Sequence, residues 1–516
     1  MKSIYKISKG ILGAVMSLLL ITSCSEDTMD DINKDINHPS DTEAKFLLAE
    51  VLIHTAFSNV GGDFNTYTAA YVEHEVGIHN QLFRAERRQN EPSASSTFNN
   101  VWESMYETLR NAKIIVEKCS ENGIQREDLV LKGIGEIMLA YNLALTTDMY
   151  GDTPWTEACD YMSNKTPKID KQEDIYKEIM TLLDNAIVDL QGGNESSIGG
   201  HDFLYAGNAA KWTKFAYGLK ARYTMRLMKH SGNVSADMQK IIEYVDKSFA
   251  SSAEQAAISI YDAANLNPLF DFQWSRDALA SSESLAEKLV ERNDPRLRRV
   301  FVNADWEQIT GDDDESWNPA PNGEVAEIQY FYNTSAFVYS QTAPTLFLSY
   351  HEILFLKAEA LCRLGKTDEA EAVLKKAVLA GMANTEVNVE AAMNAPSVLV
   401  YGGLSETSDA ITEEEADEYF DNSIIPLFKS NPLKETMNQK YLAFFGASGE
   451  STECYNDIRR MKALGEDFII LKNKNKFPLR CPYGNSDTTN NPNVKEAYGN
   501  GDYVYTEAVW WAGGSR

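Results

Sequence analysis

Apolar residues recur along this chain at spacings of three and four over long stretches, the mark of helices that bury one face. The clearest case follows Asp170 and Glu173, a D-x-x-E start signal, and aligns Ile175, Ile179, Leu182, Leu183, Ala186, Ile187 and Leu190 before Gly192 and Gly193 stop it. The same spacing predicts helices over residues 43–57, 97–120, 127–148, 208–229, 236–249, 281–291, 347–364 and 367–380. A mainly α fold is expected. Segments 58–96, 261–280, 301–346 and 473–516 lack this pattern, are rich in Asn, Gly, Asp and aromatics, and are predicted to be irregular. Long ordered loops of that kind commonly carry function.

Within "LKAEALCRLGKTDEAEAVLKKAV", the small and apolar positions Ala358, Leu361, Gly365, Ala370, Leu374 and Ala377 match the spacing of a tetratricopeptide helix pair. Small residues let two helices approach, glycine makes the turn, and larger apolar residues fill the seam. Trp212, Phe215, Ala216 and Leu219 resemble the opening of the same repeat. Degenerate pairs are expected near 97–148, across 171–190 with 208–229, and at 347–380, with other segments between them.

The front of the chain changes the picture. Lys2, Lys6 and Lys9 precede the apolar run "ILGAVMSLLLI", which reads as a secretory signal peptide over residues 1–23. Eleven apolar residues are too few for a bilayer core, which takes about 20 in a helix, and no later stretch reads as long and uncharged enough. "LITSC" resembles a bacterial lipobox, making Cys24 the lipid attachment residue. Glu26, Asp27, Asp30, Asp31 and Asp35 then mark residues 24–41 as a solvated acidic tether, ahead of one expected domain over 42–516.

Charge narrows the partners. The chain carries a net charge of -28, and removing residues 1–23, with three lysines and no acids, takes it to -31. Nucleic acid and anionic membrane surfaces need a basic footprint and are excluded, leaving the N-terminal lipid as the membrane contact. Besides Cys24, five cysteines stand at 119, 159, 362, 454 and 481, without a C-x-x-C that would mark a zinc ribbon.

Candidate catalytic and metal motifs fail on spacing. In "EHEVGIHNQ", His74 and His79 are five apart, which on a helix turns the second ring about 140° from the first instead of about 40°. They are expected to be helix and loop residues, not zinc ligands. "GKT" at 365–367 has Ala360 where a phosphate loop needs glycine, and "GASGE" ends on Glu450 where a nucleophile elbow needs glycine. "GIGEIM" at 133–138 falls inside a predicted helix. Asp312, Asp313 and Asp314 lack the spaced ligand ladder of a calcium loop. No metal and no cofactor is expected.

In order along the chain, "LITSC", "YGDTPW" (150–155), "NDPRLRR" (293–299), "YHEILFLKAEAL" (350–361), "ECYNDIRR" (453–460) and "NNPN" (490–493) resemble the SusD/RagB family of nutrient-binding outer-membrane lipoproteins. The ending "VWW" (509–511) is similar to the branch described as starch-binding and associating with the outer membrane. The resemblance implies a SusD-like scaffold of tetratricopeptide-like pairs with loop insertions. It further implies a lipid-anchored protein facing the cell exterior, not an enzyme, that captures an oligosaccharide for a SusC-like TonB-dependent barrel. The helical-pair surface around 347–380, with Lys366 and Lys375, is then the expected barrel contact. Asp294, Pro295 and Arg296 are expected to form a turn with its ion pair, and Glu352 and Glu359 to lie along a packed helix. Peptide capture by the same architecture, an all-helical glycoside hydrolase using two carboxylates, and a pure protein adaptor are the alternatives.

A glycan site needs flat aromatic faces flanked by groups that bind hydroxyls. Trp274 with Gln273 and Arg276 fits, as do Trp306, Trp317 and the cluster Tyr330, Phe331, Tyr332 and Asn333. Asn80, Gln81 and Phe83 with Tyr67 form a second candidate set.

Overall fold

The computed structural model describes residues 42–160, 162–193 and 198–516, so the signal peptide, Cys24 and the acidic tether lie outside the described residues. The scaffold is built from α1 (Ala44–His54), α2 (Asn99–Cys119), α3 (Leu129–Tyr150), α4 (Gln172–Asp189), α5 (Ala209–Arg226), α6 (Val234–Asp246), α7 (Pro268–Arg276), α8 (Tyr350–Arg363), α9 (Thr367–Met393), α10 (Pro432–Ala443) and α11 (Ser451–Leu464). Every helix expected from the apolar spacing is present, the one over 281–291 as Glu283–Arg292.

The pairs pack as the repeat pattern implies. α3 lies between α2 and α4, and a glycine faces each neighbour: a Cβ at Gly135 would sit 2.7 Å from Ile115, and one at Gly133 2.9 Å from Leu190. Almost every residue of α3 is buried. Contrary to expectation, α3 is long and apolar enough to cross a membrane, but 89% of that stretch is buried inside the protein, as suits a central core helix. α8 and α9 form the tetratricopeptide-like hairpin, turned by Gly365 at φ 73°, and with Phe420, Ile424 and Phe428 they build a second apolar cluster beside the main core.

Charge is buried in this scaffold in matched pairs. Arg222 binds both oxygens of Glu352, with Nε to Oε1 at 2.7 Å and Nη2 to Oε2 at 2.5 Å. Arg460 binds both oxygens of Glu359 at 2.6 and 2.8 Å and reaches Asp457 at 3.0 Å. Arg226 holds Asp148 at 3.3 Å and also pairs with Glu453. Lys440 and Arg460 keep the Asp457 carboxyl well below its ordinary range against the cost of burial. The Asp294–Arg296 turn has its ion pair, at 2.5 Å, and Tyr419 donates to the same carboxylate at 2.8 Å.

Three local expectations are corrected. The D-x-x-E signal does not cap α4: Asp170 accepts from the amides of Trp155 and Thr156, both at 2.9 Å, while Asp152 of the "YGDTPW" loop accepts from Gln172 at 2.8 Å at the helix start. α9 continues to Met393 because its buried stripe runs on through polar Thr385 and Asn388, which hide the period. Segments 58–96, 261–280 and 473–516 are not wholly irregular. They contain helices at Asp63–Tyr71, Asn80–Glu86, Pro268–Arg276, Asn485–Asn490 and Pro492–Tyr498, all too short for the period to emerge.

Short antiparallel ladders fasten these insertions to one another. Glu75–Gly77 pairs with Leu279–Ser281, which ties the 58–96 segment to the strand after α7, and Phe301–Val302 pairs with Thr334–Ser335, which closes the 301–346 segment on itself.

Candidate functional site

"HEVGIH" is a strand flanked by two unrelated histidines, not the helix and loop expected. His74 is buried, with Nδ1 3.0 Å from Ser451 Oγ and Nε2 3.0 Å from the Tyr441 carbonyl, and burial pushes its pKa down to about 3. His79 sits at the surface, 3.8 Å from Glu327. Glu75 points inward from the strand, accepts from Ser335 Oγ at 2.5 Å, and is pushed up to about 8 by burial without a charged partner. Asp314 binds the amide of Ser316 at 2.8 Å in its own loop. Among the described residues no group of three or more His, Cys, Asp or Glu is placed to hold a metal ion, and the five cysteines are free thiols.

The tryptophans tell a different story. Asn267 caps α7, accepting from Leu269 at 2.9 Å, and Pro268 starts it, which sets Trp274 on the last turn. Gln273, one residue earlier, is buried: its Oε1 accepts from Ala278 and Leu279 at 3.1 and 3.0 Å, and its Nε2 donates to Asp277 at 2.9 Å. Gln273 thus clamps the turn after α7, with its side-chain amide engaged inside the protein. Asp277 closes the helix at φ 45°.

Trp306 is delivered by a tight turn in which Asn303 Oδ1 accepts from Asp305 and Glu307 at 2.9 and 3.0 Å. That turn holds Trp306 at φ 64°, a left-handed conformation unfavourable for a tryptophan. Non-glycine residues in such conformations concentrate at binding sites. Asn80 (φ 50°) and Tyr330 (φ 56°) also adopt it, as do Cys159, Ala206 and Asn293 in other parts of the chain.

The rings converge. Trp274 stacks on Phe270 with centroids 5.4 Å apart, and lies 6.2 Å from Trp306 and 6.0 Å from Tyr401. Trp306 in turn meets Tyr339 at 5.7 Å. Trp274 is 37% exposed, Tyr401 72% and Tyr330 77%, with Phe331, Leu399 and Val400 also open to solvent. The sequence reading missed Tyr401. Its segment is anchored where Ser405 donates to the Trp306 carbonyl at 2.8 Å and Gln308 donates to the Ser405 carbonyl at 3.0 Å. The available signal was "VLVYGG", an apolar run broken by two glycines, unsuited to a buried strand.

The polar rim joins the two predicted sets. Arg276 lies over Phe272 at 4.8 Å, and Gln329 donates to the Arg276 and Asp277 carbonyls at 2.9 and 3.2 Å. Two residues before Gln329, Glu327 accepts from the Asn80 amide at 2.9 Å, so the 327–329 segment touches both Asn80, which is exposed, and the end of α7. Other candidates have packing roles. Trp317 is half-buried with its edge on Phe301 at 5.7 Å, and Tyr332 and Phe83 cover an apolar cluster of Val76, Ile78 and Ala280. Asn333 is buried and clamps Asn318 and Ser316, and Tyr67 is in the core.

The sequence profile described as "Starch-binding associating with outer membrane" matches residues 36–483. The chain belongs to this SusD-like family. A SusD/RagB family protein from Bacteroides thetaiotaomicron is 52% identical over 92% of this chain and 100% of its own, with a TM-score of 0.88. A chitin-binding protein is 21% identical over 90% of this chain and 99% of its own, with a TM-score of 0.69. A SusD homologue from Bacteroides fragilis is 21% identical over 91% of this chain and 99% of its own, with a TM-score of 0.68. The last two likenesses establish the fold alone. Among curated proteins none matches the chain. As a member of this SusD-like family it is associated with the outer membrane, and SusD-like binding proteins are non-catalytic.

Proposed function

We propose that this SusD-like protein captures an oligosaccharide at the Trp274–Trp306–Tyr401 face and delivers it to a SusC-like TonB-dependent barrel. The convergence of these three rings, one of them in a left-handed backbone, carries the reading. Trp274 and Tyr401 are exposed and Trp306 is half-buried, and the open rings do little for stability yet offer flat apolar faces to sugar rings. Asn80, Gln81, Arg276 and the backbone of the 327–330 loop supply hydrogen-bonding groups at the rim. The fold-level neighbour that binds chitin is consistent with a glycan ligand. Cys24 carries the lipid that keeps the protein at the outer surface, and the outer side of the α8–α9 pair faces the barrel.

The test is affinity electrophoresis and calorimetry of the soluble mature protein against starch-, chitin- and β-glucan-derived oligomers. One glycan class should bind, and Trp274→Ala should weaken it by about 2 kcal/mol, roughly thirtyfold. Binding of every oligomer unchanged in Trp274→Ala, Trp306→Ala and Tyr401→Ala would remove the site from this face. Cys24→Ala should release the protein from the outer-membrane fraction; persistence there after a salt wash contradicts the lipid anchor.

A further inference from the structure

A cavity of about 540 Å³ opens between α8, α9 and the turn at 251–255, sharing no residue with the aromatic face. Its size falls in the small-ligand range of roughly 300–1,000 Å³. The turn is held in place by Gln255, whose Oε1 accepts from the Tyr350 amide at 3.1 Å. Tyr350, Leu379 and Val387 supply an apolar wall, and Val387 is exposed at the mouth. Polar groups converge on the rest: His351, Lys376 and Asn384.

His351 is the informative residue. It is buried, 1% exposed, and lines the cavity. Nε2 is 3.0 Å from Glu450 Oε2, and Ser349 Oγ donates to the other oxygen of Glu450 at 2.6 Å. The acceptor-only carboxylate fixes the Nε2 proton, as in any carboxylate–imidazole pair. Nδ1 has no hydrogen-bond partner among the described residues. Nδ1 is not among the fully buried polar atoms left unpaired, so it is open enough for water, and a ligand group at this wall would take that water's place. A hydroxyl suits Nδ1 in either charge state, because it can donate to the neutral ring and accept from the protonated one. Lys376 adds a second donor: it forms no ion pair among the described residues, whereas its neighbour Lys375 holds Asp417 and Asp421 at 3.1 and 3.3 Å.

We propose that this cavity is a second binding site, for a short saccharide of one or two rings. One ring face packs against Tyr350 and Leu379, one hydroxyl meets His351 Nδ1, and Lys376 receives a further hydroxyl or a carboxylate. A site of this kind on the scaffold would hold a released sugar or a chain end independently of the platform, adding avidity without enlarging it.

Saturation-transfer NMR on the soluble mature protein tests this with glucose, N-acetylglucosamine, maltose, cellobiose, chitobiose and glucuronate as probes. At least one probe should bind. Ala383→Trp, an exposed helix position at the cavity wall, should weaken that binding at least tenfold, and Trp274→Ala should leave it unchanged. Lys376→Ala should weaken glucuronate more than the neutral sugars if the lysine reads charge, and all equally if it reads hydroxyls; either result supports the site. If no probe binds, or if Ala383→Trp binds them all as the parent does, the proposal is overturned. Loss of barrel co-purification in Ala383→Trp, with no sugar bound by the parent, would reassign the cavity to a protein partner.

Discussion

The helical scaffold and the aromatic face place charge and rings in opposite situations. In the scaffold, arginines and glutamates are buried: Arg460 is 1% exposed and its partner Glu359 0%. On the face, Trp274, Tyr401 and Tyr330 stand in solvent. A buried ion pair is best tolerated when its donors and acceptors are matched, and bidentate geometry does that for Arg460–Glu359 and Arg222–Glu352. Exposed tryptophan has no such internal account, since turning it inward would gain apolar burial. The first arrangement is explained by the fold, and the second asks for something outside it.

Breaking the scaffold side should have the largest effect. Arg460→Met leaves Glu359 buried without its bidentate partner and should cost about 3–5 kcal/mol of unfolding free energy, read as the shift of a urea transition. An unchanged midpoint would mean that the pair contributes nothing. Next comes Trp274→Ala, expected to lose about 2 kcal/mol of glycan affinity while moving the thermal midpoint by only a few degrees. Trp317→Ala inverts that pattern. Its ring packs on Phe301, so it should cost about 1–2 kcal/mol of stability and leave calorimetric affinity alone. If Trp317→Ala instead folds like the parent and abolishes binding, the packing role assigned to it is wrong.

The smallest effect concerns pH. Glu75 is raised from 4.5 to about 8 by burial, so the folded state holds its proton more tightly than the unfolded chain. Its contribution is full below about pH 4.5 and is lost as pH climbs towards 8. Glu75→Gln, which mimics the protonated form, should flatten the fall of the thermal midpoint across that window by a few degrees. Parallel curves for parent and variant would place an ionised carboxylate in the folded protein.

The two regions also differ in how far they could be read from sequence. α2, α4 and α8 announced themselves because their buried faces are apolar and recur every three or four residues. α10 and α11 did not: Glu435, Lys440, Asp457, Arg459 and Arg460 are buried, so their inward faces read as polar. On the face, Trp274 and Trp306 were visible as isolated aromatics in segments without a period. That Gln273 turns inward, that Trp317 packs, and that Tyr401 arrives from a segment after α9 depend on turns and on contacts across more than a hundred residues. No local pattern encodes them.

The most direct test of capture at the aromatic face is hydrogen exchange of the mature protein, by mass spectrometry, with and without a saturating glycan identified by the binding screen. The account predicts slower exchange in the turns at 303–308, 327–332 and 399–405, with α2 to α5 unchanged. Protection confined to the helices, with all three turns exchanging as in the free protein, would contradict it.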